Sequence, residues 1–172
     1  MPLHLHPKRS HELTLVRVAQ YLKGTKDKGL ILKPLEGNKL RMDCYVDSDF
    51  MGIYCKENRD DPDNVRSRAG HIICINDCPI IWNSKLMDAI GLSSAMTEYY
   101  ALSAAMSEVL PLRELTKTLA EAVGLDPECF TEFKTTVWED NMAALTLAKL
   151  DPGHTTPRSK FWFRKHLRNL PE

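Results

Sequence analysis

The sequence of 172 residues predicts an α/β domain with the element order β-β-β-α-β-α. Three observations predict it. Residues 40–47 alternate apolar and polar positions, and two further β-rich runs follow over 69–76 and 78–85. Residues 93–124 then repeat apolar positions at helical spacing. A fourth β-rich run, "FKTTVWEDN", leads into a second helical pattern, "NMAALTLAKL". Strand period gives way to helix period twice, which fits helices packed on a sheet.

Each element has its own local justification. "SHELTLVRVAQYLKG" reads as a helix with Ser10 as N-cap and Glu12 suited to the first turn. Leu15, Val18, Ala19 and Leu22 recur at helical spacing, and Gly24 stands at the C′ position. "KGLILKPLEGNK" predicts a short strand and a turn, broken by Pro34, Gly37 and Asn38. A module boundary falls near Gly37, dividing an N-terminal segment, 1–37, from the main domain, 38–172. In "KLRMDCYVDSD", Leu40, Met42, Cys44 and Val46 alternate with Arg41, Asp43, Tyr45 and Asp47. "CKENRDDPDNVRSR" is a charged loop. "AGHIICIN" and "CPIIWNSK" are separated by so little chain that they form an antiparallel hairpin. In the long helix Ala101, Ala105, Val109, Leu112, Leu119 and Val123 trace one face, Ser93 or Ser94 caps the start and Gly124 ends it. Pro111 should kink this helix or split it in two. Asn141 is a ready N-cap for the second helix.

Composition narrows the function classes. An apolar share of 43% supports a packed core and argues against disorder. Lys plus Arg and Asp plus Glu number 23 each, so any nucleic-acid surface must be a local basic patch. Five cysteines at irregular spacing make no disulfide framework, and no His completes a zinc site around Cys74 and Cys78. The N-terminus lacks the apolar core of a signal peptide, and no run is long enough to span a membrane. An intracellular, reducing setting and no membrane partner are the expectation.

The acids carry the chemistry. "YVDSDFMG" sets Asp47 at the mouth of the first strand, Glu98 lies in the first turns of the long helix, and Asp140 ends the fourth strand. If the first and fourth strands are parallel neighbours, Asp47 and Asp140 leave the sheet at the same edge, where ligands of open α/β sheets gather. A helix across the sheet brings Glu98 to the same point. Such a cluster repels itself unless a cation neutralises it. All-oxygen ligands suit Mg²⁺ or Mn²⁺. Two such ions about 4 Å apart are the usual apparatus of phosphoryl displacement. Taken singly, each acid also has a plainer reading: Asp47 as a turn residue, Glu98 as a partner of the helix dipole, Asp140 as an aid to the next cap.

On these residues the chain resembles the ribonuclease H region of Ty1/copia-type retrotransposon polyproteins. The matching stretches are "HPKRSHELTLVRVAQYLKGT", "YVDSDFMG", "SRAGHIICINDCPIIWNSK", "LSSAMTEYYALSAAMSE", "VWEDNMAALTLA" and "TPRSK", in family order over nearly the whole chain. The resemblance implies a ribonuclease H-like mixed sheet of order 3-2-1-4-5 with flanking helices. It implies hydrolysis of the RNA strand of an RNA–DNA hybrid, with Asp47, Glu98 and Asp140 as catalytic metal ligands for two Mg²⁺ or Mn²⁺ ions. Asp49 and Asn141 would stand behind them; His154, by its position in the loop after the second helix, would be an analogue of the histidine that assists product release, or else a plain solvated loop residue. The implied partners are the hybrid and the reverse transcriptase module of the same polyprotein, whose connecting tail matches residues 1–37. The implied location is cytoplasmic, in a retrotransposon particle, or nuclear.

The chain departs from the family pattern in three places. Met96 or Thr97 stands where an acid commonly precedes Glu98. "TPRSK" runs straight into "FWFRKHL", which leaves out roughly the fifth strand. The sequence reaches Glu172 before any "AD" motif for a fourth metal-binding Asp, and neither Asp151 nor Glu172 is favoured as its replacement. Arg158, Lys160, Arg164, Lys165 and Arg168, interleaved with Phe161, Trp162 and Phe163, form a basic run that grips phosphate or covers the core with its aromatics. Arg66, Arg68 and Lys85 flank the hairpin and meet phosphates or solvent. Two rivals follow: a catalytically silent scaffold that keeps the fold and binds nucleic acid, and an integrase or transposase core with its last acid on a late helix.

Overall fold

The computed structural model describes residues 9–29, 32–33, 39–52, 54, 56, 62–126, 128 and 132–150. Strands β1 (Arg41–Asp49), β2 (Arg68–Ile75), β3 (Cys78–Leu86) and β4 (Lys134–Trp138) form one mixed sheet in the order β3-β2-β1-β4. β1 pairs antiparallel with β2, β2 antiparallel with β3, and β1 parallel with β4. The expected α/β class and the 3-2-1-4 part of the strand order are therefore present. A fifth strand would fall outside the described residues.

Helices α1 (Arg9–Thr25), α2 (Ser94–Ala122) and α3 (Met142–Ala148) accompany the sheet, with a 3-10 turn at Pro62–Val65. α2 packs across β1 and β2, and α3 packs against α2. The β1 alternation is the cause: Met42, Cys44 and Val46 turn toward α2 and meet Ala101, Leu102, Ala105 and Val109. Alanines at the contact let the helix lie close to the strand. Met42, Ile73 and Val109 are wholly buried, each stabilising the fold by about 1.5–3 kcal/mol. Between β2 and β3 the turn is Asn76–Asp77, both left-handed (φ 47° and 61°), the pattern of a two-residue hairpin turn.

The opposite sheet face carries a second ladder. Trp138, Tyr45, Ile72 and Trp82 are register partners in turn across all four strands, and all are exposed. The Tyr45 and Trp138 rings stack with centroids 6.2 Å apart.

Several local expectations change. Pro111 does not split the long helix, which is continuous from Ser94 to Ala122. Proline leaves the Ser107 carbonyl without its helical donor, but Val109 and Leu112 on either side both pack on the core and hold the two halves in line. The apolar face of α2 stops short of its expected end: Leu119 and Val123 are exposed, and Ala120 is buried instead. Gly24 lies inside α1, which ends at Thr25. Leu15, Val18 and Leu22 share helical spacing but are exposed, because packing and not periodicity decides burial. The short strand expected after α1 is not found at Leu32 and Lys33, and the rest of that stretch lies outside the described residues. Asp47 lies within β1, two residues before its end, and Asp140 lies two residues beyond β4. Among the described residues, no helix is long and apolar enough to cross a membrane.

Candidate metal centre

The register of β1 and β4 builds the centre. Tyr45 pairs with Trp138 in a parallel ladder. Two residues further along each chain stand Asp47 and Asp140, so their side chains leave the sheet side by side at its carboxyl edge. Asp43 locks this register. Its carboxylate is buried, accepts the Trp138 indole N–H at 3.0 Å from β4, and accepts Arg41 Nε at 2.6 Å within β1.

The start of α2 brings the third acid. Ser93 Oγ accepts the Met96 N–H and fixes the first turn. Thr97, buried, donates to the Ser94 carbonyl at 2.8 Å and is hydrogen-bonded to Ser48 of β1 at 3.0 Å, which ties the turn to the strand. Gly91 makes room for it, since a Cβ there would sit 2.2 Å from Thr97 Cγ2. The next residue, Glu98, is 7% exposed and reaches the sheet edge. One carboxylate oxygen from each of Asp47, Glu98 and Asp140 lies within 4.8 Å of the others. Among the described residues no other group of three potential ligands comes so close.

The electrostatics follow from crowding and burial. Burial pushes the Glu98 carboxyl up to about 7; a hydrogen bond from Ser48 opposes this, and the charges of Glu139, Asp47 and Asp140 add to it. Glu98 Oε2 is buried without a hydrogen-bond partner among the described residues. An ionised carboxylate so placed costs several kcal/mol unless a proton or a cation neutralises it. The donors are oxygens only, so the set fits a hard divalent cation of the Mg²⁺ or Mn²⁺ type.

The remaining site residues divide. Asp49 is outside the cluster: its Oδ1 accepts the Arg68 backbone N–H and its Oδ2 fills the space over Gly52. Asn141 is occupied as the α3 cap, accepting the N–H groups of Ala143 and Ala144 at 3.0 and 3.1 Å. Arg66 is held by the Met87 carbonyl, Asp63 and Asp88, and Arg68 by the Ser84 carbonyl, so both serve the hairpin. His154, Arg158, Lys160, Arg164, Lys165, Arg168 and the three aromatics among them lie outside the described residues, as do Asp151 and Glu172. A separate cleft of about 210 Å³ between the hairpin and α2 contains His71, buried against Glu108 at 3.1 Å.

One acid escaped the sequence reading. Glu139 lies beside Asp140 in "WEDN", and burial raises its carboxyl too, against an opposing bond from the Asn141 backbone and with Asp140 and Asp47 adding. Strand alternation held the signal: Glu139 follows Val137 onto the α2 side of the sheet, the side from which Glu98 arrives.

Fold and cluster together define a mixed-sheet α/β domain with a carboxylate centre at the carboxyl ends of two parallel strands. Two retrovirus-related Pol polyproteins of Arabidopsis thaliana, from transposons RE2 and RE1, are 35% and 33% identical to it over 103 residues, or 60% of this chain. A secreted RxLR effector protein, 161, of Plasmopara viticola is 31% identical over 111 residues, 64% of this chain and 71% of the effector. Over the stretch shared with the two plant polyproteins the chain is similar to Pol polyproteins of Ty1/copia-type retrotransposons. The matched stretch spans 6% of each plant polyprotein. No family model matches the chain, and no solved structure matches it.

Proposed function

We propose that this chain is a ribonuclease H-type module that hydrolyses the RNA strand of RNA–DNA hybrids during retrotransposon reverse transcription. The observation that carries this reading is the convergence of Asp47, Glu98 and Asp140 within 4.8 Å, one of them buried with an unpartnered oxygen. Similarity to the retrovirus-related Pol polyproteins supports it. Asp47, Glu98 and Asp140 would hold divalent ions, which would supply an activated water and stabilise the leaving oxygen. The protein's own part is positional. Glu98 holds the inner side of the centre, and Asp47 and Asp140, both exposed, form the rim that faces a phosphate. Discrimination for RNA rests on its 2′-OH and groove shape. The partners on this reading are the hybrid and the reverse transcriptase module, with residues 1–37 as the connecting segment, and the location is the particle in the cytoplasm, or the nucleus.

The test is cleavage of labelled hybrid in Mg²⁺ or Mn²⁺ by the wild type and by Asp140→Asn. Cutting of the RNA strand by the wild type alone supports the nuclease; no cutting by either refutes it. A second reading draws on the relative named as a secreted RxLR effector protein. On that reading the fold serves as a scaffold that binds hybrid without cutting it, and binding unchanged in Asp140→Asn is its signature.

A further inference from the structure

We infer that the open face of the sheet is a self-association surface, on which two copies of this chain stack their aromatic rows face to face about a twofold axis. The inference does not depend on the nuclease reading above and goes beyond it.

Trp138, Tyr45, Ile72 and Trp82 stand in register across β4, β1, β2 and β3, and Ile80 lies two residues before Trp82 on the same side of β3. These five side chains are 39–63% exposed. Among the described elements α2 packs on the other face, and the side chains of α1 from Glu12 to Lys23 are exposed and cover neither. A strand that meets water on one side alternates apolar with polar residues. Here the outward positions of the central row are apolar on all four strands. Aromatic side chains present about 150–250 Å² each, so at this exposure the five residues offer on the order of 400 Å² of apolar surface. A specific contact of standard size takes about 800 Å² from each partner and is a little over half apolar. The row therefore supplies the apolar part of one such contact.

The row is also complementary to itself. It carries a tryptophan at each end, with Tyr45 and Ile72 between them. A twofold axis along the strands, between β1 and β2, sets Trp138 of one copy on Trp82 of the other and Tyr45 on Ile72, each contact being made twice. Stacked sheets lie about 10 Å apart, a gap that side chains of this size fill from both sides. Tyr45 and Trp138 are already stacked, their ring planes 11° apart, so little side-chain freedom is lost on docking. The twist of each sheet splays its corners away from the contact, which leaves the carboxyl edge open. Nucleic acid also stacks on aromatic rings, but it needs cations beside them for its phosphates. Here Arg41 is engaged by Asp43 and Asp77, and the exposed Asp47 and Asp140 border the row. A second copy brings no phosphate charge to this face.

The experiment is sedimentation equilibrium of the full chain over a range of concentrations. The proteins are the wild type, Trp82→Glu, Ile72→Lys and, as a control on an exposed position of α2, Leu115→Glu. Both row variants replace an exposed side chain; thermal melting checks each fold, and either variant suffices if the other melts early. Expected is a wild-type dimer, self-association about tenfold or more weaker in Trp82→Glu and in Ile72→Lys, and wild-type behaviour in Leu115→Glu. A photo-reactive benzophenone residue in place of Trp82 should cross-link, in a mixture of isotopically light and heavy chains, to the peptide of the other copy that carries Trp138. A monomer at every concentration overturns the inference, as does a dimer that the row variants leave intact. Cross-links confined to one chain overturn it in favour of a segment of that chain as the cover. A monomer whose binding of a single-stranded oligonucleotide is lost in Trp82→Glu overturns it in favour of nucleic acid.

Discussion

The indole N–H of Trp138 lies 3.0 Å from Oδ1 of Asp43, a bond between residues 95 positions apart that joins β4 to β1. It fixes the parallel register that sets Asp47 level with Asp140. Asp43 also receives Arg41, so one buried carboxylate satisfies two donors. Asp43→Ala removes both bonds, but Arg41 keeps Asp77 as a partner, so the cost is roughly 1–2 kcal/mol and falls mainly on the Trp138 bond. The denaturation midpoint and the Trp138 fluorescence should shift together. If stability is unchanged, the lock on the register is something else.

Glu98 gives the metal-free protein a distinctive pH dependence. Its carboxyl is raised in the fold to about 7 from an ordinary 4.5. A raised carboxyl adds stability below its unfolded value, and that stability is lost as pH rises through the folded value. Metal-free stability should therefore fall between about pH 4.5 and 7, by on the order of 3 kcal/mol for a shift of this size. Glu98→Gln should flatten the slope. With Mn²⁺ present the trend should reverse, because ion binding requires the ionised form. Denaturant titrations at several pH values, with and without the ion, check both signs.

Neutralising one rim acid should separate stability from chemistry. Asp47→Asn or Asp140→Asn removes repulsion from a group in which one oxygen of each acid lies within 4.8 Å of the others. Each variant should melt at or above the wild-type temperature without metal, lose most of its ion-induced stabilisation, and lose hybrid cleavage. A variant that cuts hybrid normally refutes the assignment of that residue.

Gly91 offers a test of how closely the first turn of α2 must be held. A Cβ there would stand 2.2 Å from Thr97 Cγ2, and Thr97 is a stiff, β-branched, buried side chain. Gly91→Ala should cost about 1–3 kcal/mol and weaken Mn²⁺ binding by displacing Glu98. Gly124→Ala is a useful contrast: its left-handed backbone (φ 70°) is strained by a side chain, but nothing lies within 4 Å of the new Cβ. Its loss should appear in melting temperature and leave Mn²⁺ affinity alone.

Much of the fold was legible because local rules and tertiary packing agree there. The alternation of Met42, Cys44 and Val46, the Asn141 cap and the Gly124 terminus each depend on a few neighbouring residues. Pro111 misled because a local rule lost to packing on both sides of it. The faces of α1 and of the end of α2 misled because periodicity marks which residues share a side, not whether anything lies against it. Glu139 went unread because its meaning is relational: adjacent to a conspicuous aspartate, it becomes notable only when its second oxygen is buried without a partner among the described residues.

The sequence by itself determined which segments are strands and helices, and that an acid stands near the end of each element that could meet at one sheet edge. Periods, caps and turn residues act over a few positions, so they can be read in order along the chain. Only the tertiary structure decided that Asp47, Glu98 and Asp140 meet, that Asp49 and Asn141 are occupied elsewhere, and that Glu139 buries an oxygen without a partner among the described residues. Those facts depend on strand register, on the seating of α2 and on desolvation, which arise from contacts between residues far apart in the chain.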